Sequence, residues 1–375
     1  EPYILKSMSE ATRTQITSYL GDIWGRILGE VGSSRNLDNA RLQSLADSMQ
    51  SVQTTDSYLA NGLIDGALYQ DQALEALCSL VGVDEKDDLR FVSLRDVYAT
   101  RGATRKGGAN VGVLFAEGEI NVEVADSPLN AKKVVSDRLA DRILEMGEDD
   151  DYDALVVRVN SPGGSSYISE QLWYAVHKAS ENKPVVISMG DYAASGGYYM
   201  SSGASYIFAE PSTITGSIGI FGVVPNATKL ANKVGVHQDV VKTAQYADLG
   251  ALDRPWTEEE RALFQQYVNR GYELFLKRVS EGRGMTRDQV DSIAQGRVWT
   301  GAQALELGLV DELGGLQDAV AYAAAQAGYD SYYVTYTRRA VNVLQELLST
   351  STQTVRMKLM TSWFTEDEIR YIDQM

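Results

Sequence analysis

Three short loops hold the residues whose types and spacing suit chemistry. The first is Asn160-Ser161-Pro162-Gly163-Gly164-Ser165, directly after the apolar run Ala154–Val159. A strand that ends in Pro-Gly-Gly and opens a helix exposes backbone N–H groups, and two residues without side chains let another backbone approach. Such amides suit a peptide carbonyl or a developing oxyanion; the same loop is also compatible with nothing more than a tight turn. The second loop, Gly190-Asp191-Tyr192-Ala193-Ala194-Ser195-Gly196-Gly197-Tyr198-Tyr199, follows the run Pro184–Ser188 and crowds small residues around one serine. Ser195 there meets the needs of a nucleophile: an exposed Oγ, a strand-to-helix turn, and a free N–H next door at Gly196. The bland alternative is a serine that caps a helix among small packing residues. The third, Thr213-Ile214-Thr215-Gly216-Ser217-Ile218-Gly219, supplies hydroxyls suited to orienting a base or bridging to the nucleophile.

A serine hydroxyl needs a base. The chain has two histidines. His177 falls off the apolar stripe of its helix, and His237 sits in a loop-to-strand stretch, so neither carries a motif for a Ser-His-Asp arrangement. A buried lysine without a counter-ion is the other solution at neutral pH, because burial favours the uncharged amine.

The elements that must position these loops alternate between two periodicities. Val111–Phe115, Ile120–Val124, Ala154–Val159, Pro184–Ser188, Tyr206–Ala209 and Val240–Val241 read as strands. Ile168, Leu172, Ala175, Val176 and Ala179 recur at helical spacing, as does Ala227–Val234, and Met8–Val31 and Thr257–Val279 are long helical stretches. Strands alternating with helices predict an α/β fold.

The chain also repeats itself. Asn61-Gly62-Leu63-Ile64-Asp65 matches Leu307-Gly308-Leu309-Val310-Asp311, and Ala73 with Ala319 and Gly82 with Gly328 keep the same offset. Upstream, Met8-Ser9-Glu10 matches Trp256-Thr257-Glu258, and Tyr19 matches Tyr267, two residues out of step. One register held over this length predicts a duplication. Residues 1–98 are then the helical end of a first copy, 99–110 a polar, Gly-rich linker, 111–337 a complete second copy, and 338–375 a helical tail. The strands of the first copy are not in the sequence.

Composition sets the outer bounds. With 44% hydrophobic and 23% charged residues, the chain has enough apolar content for a sizeable core. A formal charge of −17 without a Lys/Arg cluster argues against nucleic acid as a partner. The one cysteine, Cys78, excludes an intrachain disulfide and is expected in the core. No His/Cys cluster or phosphate loop implies a metal or organic cofactor. No run of 18 or more apolar residues is present, and an anchor or targeting segment is expected upstream of Glu1.

Taken together, Asn160-Ser161-Pro162-Gly163-Gly164, Ala194-Ser195-Gly196-Gly197-Tyr198 and Thr215-Gly216-Ser217-Ile218-Gly219 resemble the three signature segments of the signal peptide peptidase A family. These are serine peptidases with a ClpP/crotonase-like fold, and the likeness is to the long, duplicated form. The resemblance implies Ser195 as nucleophile, the N–H groups of Gly164 and Gly196 as the oxyanion hole, and Ser217 as a residue that positions a lysine amine. Where short members carry that lysine, this chain has Ala244-Gln245-Tyr246-Ala247-Asp248, with Ala247 at the lysine position. In the long form the lysine belongs to the first copy, just before a Glu-Pro-aromatic segment that Glu1-Pro2-Tyr3 resembles. The base is therefore expected upstream of Glu1; Lys6 and Lys242 lie near the matching regions but off the motif. The resemblance further implies apolar peptide substrates, remnant signal peptides cut after export. It implies a homo-oligomer, a tetramer, anchored N-terminally in the bacterial inner membrane with its body on the periplasmic side. A crotonase-type acyl-CoA enzyme and an inactive peptide-binding scaffold are the alternatives.

Overall fold

The computed structural model describes residues 5–93, 107–122 and 134–336. The chain divides into two compact units, Glu1–Lys106 and Gly107–Met375. The expected helical tail, most of the linker and the Glu1-Pro2-Tyr3 segment lie outside the described residues.

The first unit is helical: α1 (Glu10–Arg35), α2 (Asn39–Asp47), α3 (Thr55–Ala60) and α4 (Gln70–Val81). Ser9 opens α1 by accepting from the Thr12 N–H at 3.2 Å. Asn36 closes it in the left-handed region (φ 53°). Cys78 on α4 is buried.

The second unit is built on a parallel sheet. Its strands are β1 (Ala109–Glu117), β4 (Ala154–Ser161), β5 (Val185–Ala194), β6 (Tyr206–Ala209), β9 (Glu312–Leu313) and β10 (Tyr332–Tyr336), in the spatial order β10-β1-β4-β5-β6-β9. Every neighbouring pair along that path is parallel. Central strands covered on both faces must be apolar on both, and β4 is: Leu155, Val157 and Val159 face one core, Ala154 and Val156 the other. The first core is covered by α5 (Asp137–Glu148), α6 (Ser166–Ser180), α7 (Gly196–Ser201) and α9 (Glu258–Arg283); the second by Ala319, Val320, Ala323 and Ala324 of α12 (Leu316–Gln326). Beyond the main path, β7 (Ile214–Gly216) pairs parallel with the end of β5, and β8 (Val298–Thr300) pairs antiparallel with β7. A separate parallel pair joins β2 (Glu119–Ile120) to β3 (Val134–Val135). The short helices α8 (Thr228–Lys233), α10 (Arg287–Ile293) and α11 (Gly301–Glu306) complete the unit.

The α/β class expected from the alternation of periods is the one observed. Two strand expectations need correction. Val240–Val241 is not a strand: Val241 is almost fully exposed, and no strand among the described residues pairs with it. The stretch expected to run from Ile120 gives only Glu119–Ile120; Asn121 and Val122 are not in a strand, and residues 123–124 lie outside the described residues.

The helices α1 to α4 have counterparts within the second unit. Helices α1 and α9 span 26 residues each, begin on hydroxyl caps at Ser9 and Thr257, and end on left-handed residues, Asn36 and Gly284. Helices α3 and α11 have six residues each. An ion pair between the end of the long helix and the following Gly-Leu-x-Asp segment occurs in each unit, Arg35–Asp65 at 2.8 Å and Arg283–Asp311 at 2.7 Å.

Candidate active site

Adjacent parallel strands β4 and β5 end side by side. Val159 pairs with Met189, but Ser161 pairs with Ala193, so two residues of β4 advance against four of β5. This irregularity carries β5 onward to pair with β7 and brings the loops after both strands together at the carboxyl edge of the sheet, where open α/β sheets bind ligands.

The Pro162–Ser165 loop is fixed by its own backbone. The buried Ser161 Oγ accepts from the Gly163 N–H at 3.2 Å. The Ile120 N–H donates to the Gly163 carbonyl at 2.9 Å, and the Ser165 N–H donates to the Ile120 carbonyl at 2.7 Å. This is a parallel bridge centred on Gly164, so the N–H and C=O of Gly164 point away from Ile120. Gly163 adopts φ +95°, and a side chain at Gly164 would strike the Ile120 carbonyl. Both glycines are therefore required by geometry.

Ser195 sits between β5 and α7 with φ 52° and ψ −118°, a sparsely populated conformation for a residue with a side chain. Two backbone bonds hold it: its N–H donates to the Gly216 carbonyl at 2.9 Å, and its carbonyl accepts from Tyr199 at 2.8 Å. Although it occupies the capping position of α7, its hydroxyl makes no capping hydrogen bond. Ser165, Thr257, Thr286 and Thr300 all do cap their helices, so the capping alternative does not describe Ser195. Among the described residues, the N–H groups of Gly164 and Gly196 have no acceptor.

Ser195, Gly164 and Gly196 line one cleft of about 280 Å³. Ser217 does not line it. It follows Gly216, the acceptor of the Ser195 N–H, is half-buried at φ 50°, and donates its own N–H to the Arg297 carbonyl at 2.7 Å. The threonine hydroxyls of the third loop have a different task from the one expected. Both are buried and spent on carbonyls of β5: Thr213 donates to Gly190 at 2.6 Å and Thr215 to Ala193 at 2.7 Å. They tie β7 and its approach to β5 rather than reaching the nucleophile.

The walls of the cleft were not legible in the motifs. Ser169 of α6 donates its hydroxyl to the Ser165 carbonyl at 2.8 Å and occupies the space where a Gly196 side chain would go. Tyr199 and Phe275 pack with ring centroids 4.5 Å apart. The Gly219–Gly222 segment lies on α9, with Gly222 pressed against the Phe264 ring and Gly271 against Ile220. Phe264, Tyr267 and Val268 of α9 complete the lining. The helical spacing of these residues was the available signal, and it reads as core.

No lysine, arginine, histidine or carboxylate belongs to the described lining of the cleft. His177 is exposed and stacks on Trp173 at 4.9 Å; His237 is exposed. The Lys242 amine is paired with Asp248 at 3.0 Å, which holds it in a salt bridge away from the cleft lining. Ala247 is exposed in the turn beside it.

The chain is similar to known proteins over most of its length. The family model described as Peptidase family S49 matches residues 177–330. Protease 4 of Salmonella typhi is 36% identical over 367 residues, which cover 96% of this chain and 58% of that protein. The chain thus spans little more than half of that relative's length. A protein of Synechocystis sp. named as a protease is 41% identical over 189 residues, covering 50% of this chain and 68% of that protein. Among solved structures, a mutant of ClpP1 from Listeria monocytogenes matches with a TM-score of 0.35 and 15% identity, over 56% of this chain and 94% of that one. With the three signature loops gathered at one sheet edge and relatives of this identity, the chain belongs to the signal peptide peptidase A family of serine peptidases, peptidase family S49.

Proposed function

We propose that the second unit is the nucleophile-bearing half of an endopeptidase that cuts apolar peptides, with Ser195 as nucleophile and a lysine as base. The observation that carries this reading is the strained Ser195, its hydroxyl unused for capping, beside the open amides of Gly164 and Gly196 in an uncharged cleft walled in part by aromatic rings. A neutral lysine amine takes the Ser195 proton as Oγ attacks the scissile carbonyl carbon. The carbonyl π electrons move to oxygen, and the oxyanion accepts from the Gly164 and Gly196 N–H groups. Collapse breaks the C–N bond, and the ammonium returns the proton to the leaving amine. Water, deprotonated by the same amine, then attacks the ester and releases Ser195.

The described lining holds no base, which supports a lysine from elsewhere in the full-length protein. By the family pattern it precedes the Glu1-Pro2-Tyr3 segment, and Ser217 orients it. The duplication fits this division of labour: one copy supplies serine, the other lysine. The aromatic walls of Phe264, Tyr267 and Phe275 suit apolar side chains, as in remnant signal peptides. The acyl-CoA reading is less well supported, because the described lining has no arginine or lysine to pair with phosphates. Among the described residues no helix is long and apolar enough to cross a membrane. Attachment through an upstream anchor, a periplasmic body and a homo-tetramer belong to this proposal by the same family pattern.

The test is hydrolysis of an apolar model peptide by the full-length protein, with covalent labelling by a fluorophosphonate probe. Ser195→Ala is expected to remove both. Hydrolysis that survives this substitution would overturn the assignment.

A further inference from the structure

One carboxylate outside the cleft joins the three helices that shape it. Glu170 on α6 follows Ser169, which lines the cleft. Its Oε2 accepts from the Tyr199 hydroxyl at 2.6 Å. Tyr199 belongs to α7, one turn beyond Ser195, and is 4% exposed with its ring in the cleft wall. The same carboxylate accepts from Arg278 of α9 through Nε at 3.2 Å and through Nη2. Arg278 is itself fixed, its guanidinium lying 3.7 Å from the centroid of the Trp173 ring. The Tyr199 ring packs on Phe275, a second wall residue of α9.

A phenol buried to this degree needs a partner for its hydroxyl, and Glu170 is the partner it has. Without that acceptor, the ring has no polar reason to keep its hydroxyl behind the wall. With it, the ring is held tilted against Phe275, at 41° between the ring planes, and lines the cleft with Ser195. We propose that Glu170 is a positioning residue that sets which apolar side chains the cleft accepts, by holding the Tyr199 ring as its wall. This rests on the peptidase reading above.

The experiment compares kcat/KM of the full-length protein for two peptides that differ only in an aliphatic or an aromatic side chain at the cleavage site. Glu170→Ala and Tyr199→Phe are each expected to shift the aromatic-to-aliphatic ratio by about tenfold, the scale on which apolar pockets discriminate. Glu170→Gln keeps an acceptor for the phenol and is expected to keep the wild-type ratio. The Glu170→Ala/Tyr199→Phe double variant is expected to shift it no further than either single one, because both break the same bond. Tyr199→Phe removes one oxygen only, so the test stands if Glu170→Ala fails to fold. Equal losses on both peptides with an unchanged ratio, or shifts that add in the double variant, would overturn the proposal. Persistence of activity in Ser195→Ala would instead remove the peptidase reading itself.

Discussion

The contact between the two loops is tight enough to predict what a single methyl group does to it. A Cβ at Gly163 would stand 2.6 Å from the Gly196 nitrogen, 2.7 Å from the Ser195 Cβ and 2.8 Å from the Ala194 carbonyl oxygen. None of these atoms is the end of a flexible side chain. Ordinary contact begins at 3.4 Å, so in Gly163→Ala the loops must part by most of an ångström. The backbone adds a cost of its own: φ is +95°, and a side chain there costs about 1–2 kcal/mol. Overpacking adds about 1–3 kcal/mol. The displaced atoms are the proposed nucleophile and the proposed oxyanion donor. Misplacement by about 1 Å costs on the order of 10²-fold in rate, and loss of one oxyanion donor about 10²–10³-fold. The expected outcome is a fall in kcat of about 10²-fold or more with KM changed little, measured on an apolar peptide with the full-length protein. Thermal unfolding followed in parallel separates the stability cost. Gly235→Ala is the control: φ is +73° and nothing lies within 4 Å, so it carries the backbone penalty without the collision. If folded Gly163→Ala turned over at the wild-type rate, the loops would not be the machinery described.

Two further perturbations test the packing around the site. Asp311→Ala strands Arg283, whose side chain is 9% exposed and which donates to both Asp311 oxygens, and should cost about 3–5 kcal/mol in urea unfolding. Asp65→Ala breaks the matching but exposed pair with Arg35 and should cost less than about 1 kcal/mol; equal costs would refute the argument from burial. Acid stability should also depend on Arg254, whose hydrogen bonds are the first cause holding Glu260 at about 2 against its ordinary 4.5, with the Thr257 amide next. Arg254, then Lys242, likewise hold Asp248 at about 2. Because the folded-state values lie below the unfolded ones, this stability is present above pH 4.5 and lost as pH falls from 4.5 to 2. Arg254→Gln should flatten that part of the urea-midpoint profile, and an unchanged slope would count against it.

What could be read from the sequence was local. Tyr206–Ala209 is a strand with those bounds, and Ala154–Val159 falls short of β4 only by Asn160 and Ser161. Apolar runs bounded by turn residues are decided within a few residues of chain. The Ser195 turn was legible for the same reason, since small residues on both sides permit a conformation that larger ones would block. The cleft walls were not. Glu170 and Arg278 are 108 residues apart, and nothing in either segment announces the other. Val240–Val241 failed in the opposite sense: two β-branched residues supply strand propensity, but a strand forms only where a neighbour takes its hydrogen bonds.

The two long helices explain why the walls were hidden. Helix α9 presents Phe264, Tyr267, Val268 and Phe275 to the cleft. At the repeat offset, α1 carries Ile16, Tyr19, Leu20 and Ile27, an apolar set in the same register. By spacing alone both stripes predict a helix packed on a core. Neither is simply that. In α9 the stripe is divided: Phe275 is buried against Tyr199, while Phe264, half-buried against Gly222 and Trp256, and the exposed Tyr267 line the cleft with Ser195. In α1, Leu20 is 51% exposed and Ile27 47%. The periodicity specifies an apolar face, and what meets that face is specified by other parts of the chain. In the second unit those parts are the ends of β4 and β5 with the loops they launch. The one stripe therefore serves two purposes, packing at Phe275 and lining a cleft with Ser195, Gly164 and Gly196 at Phe264, Tyr267 and Val268, and its own spacing does not distinguish them.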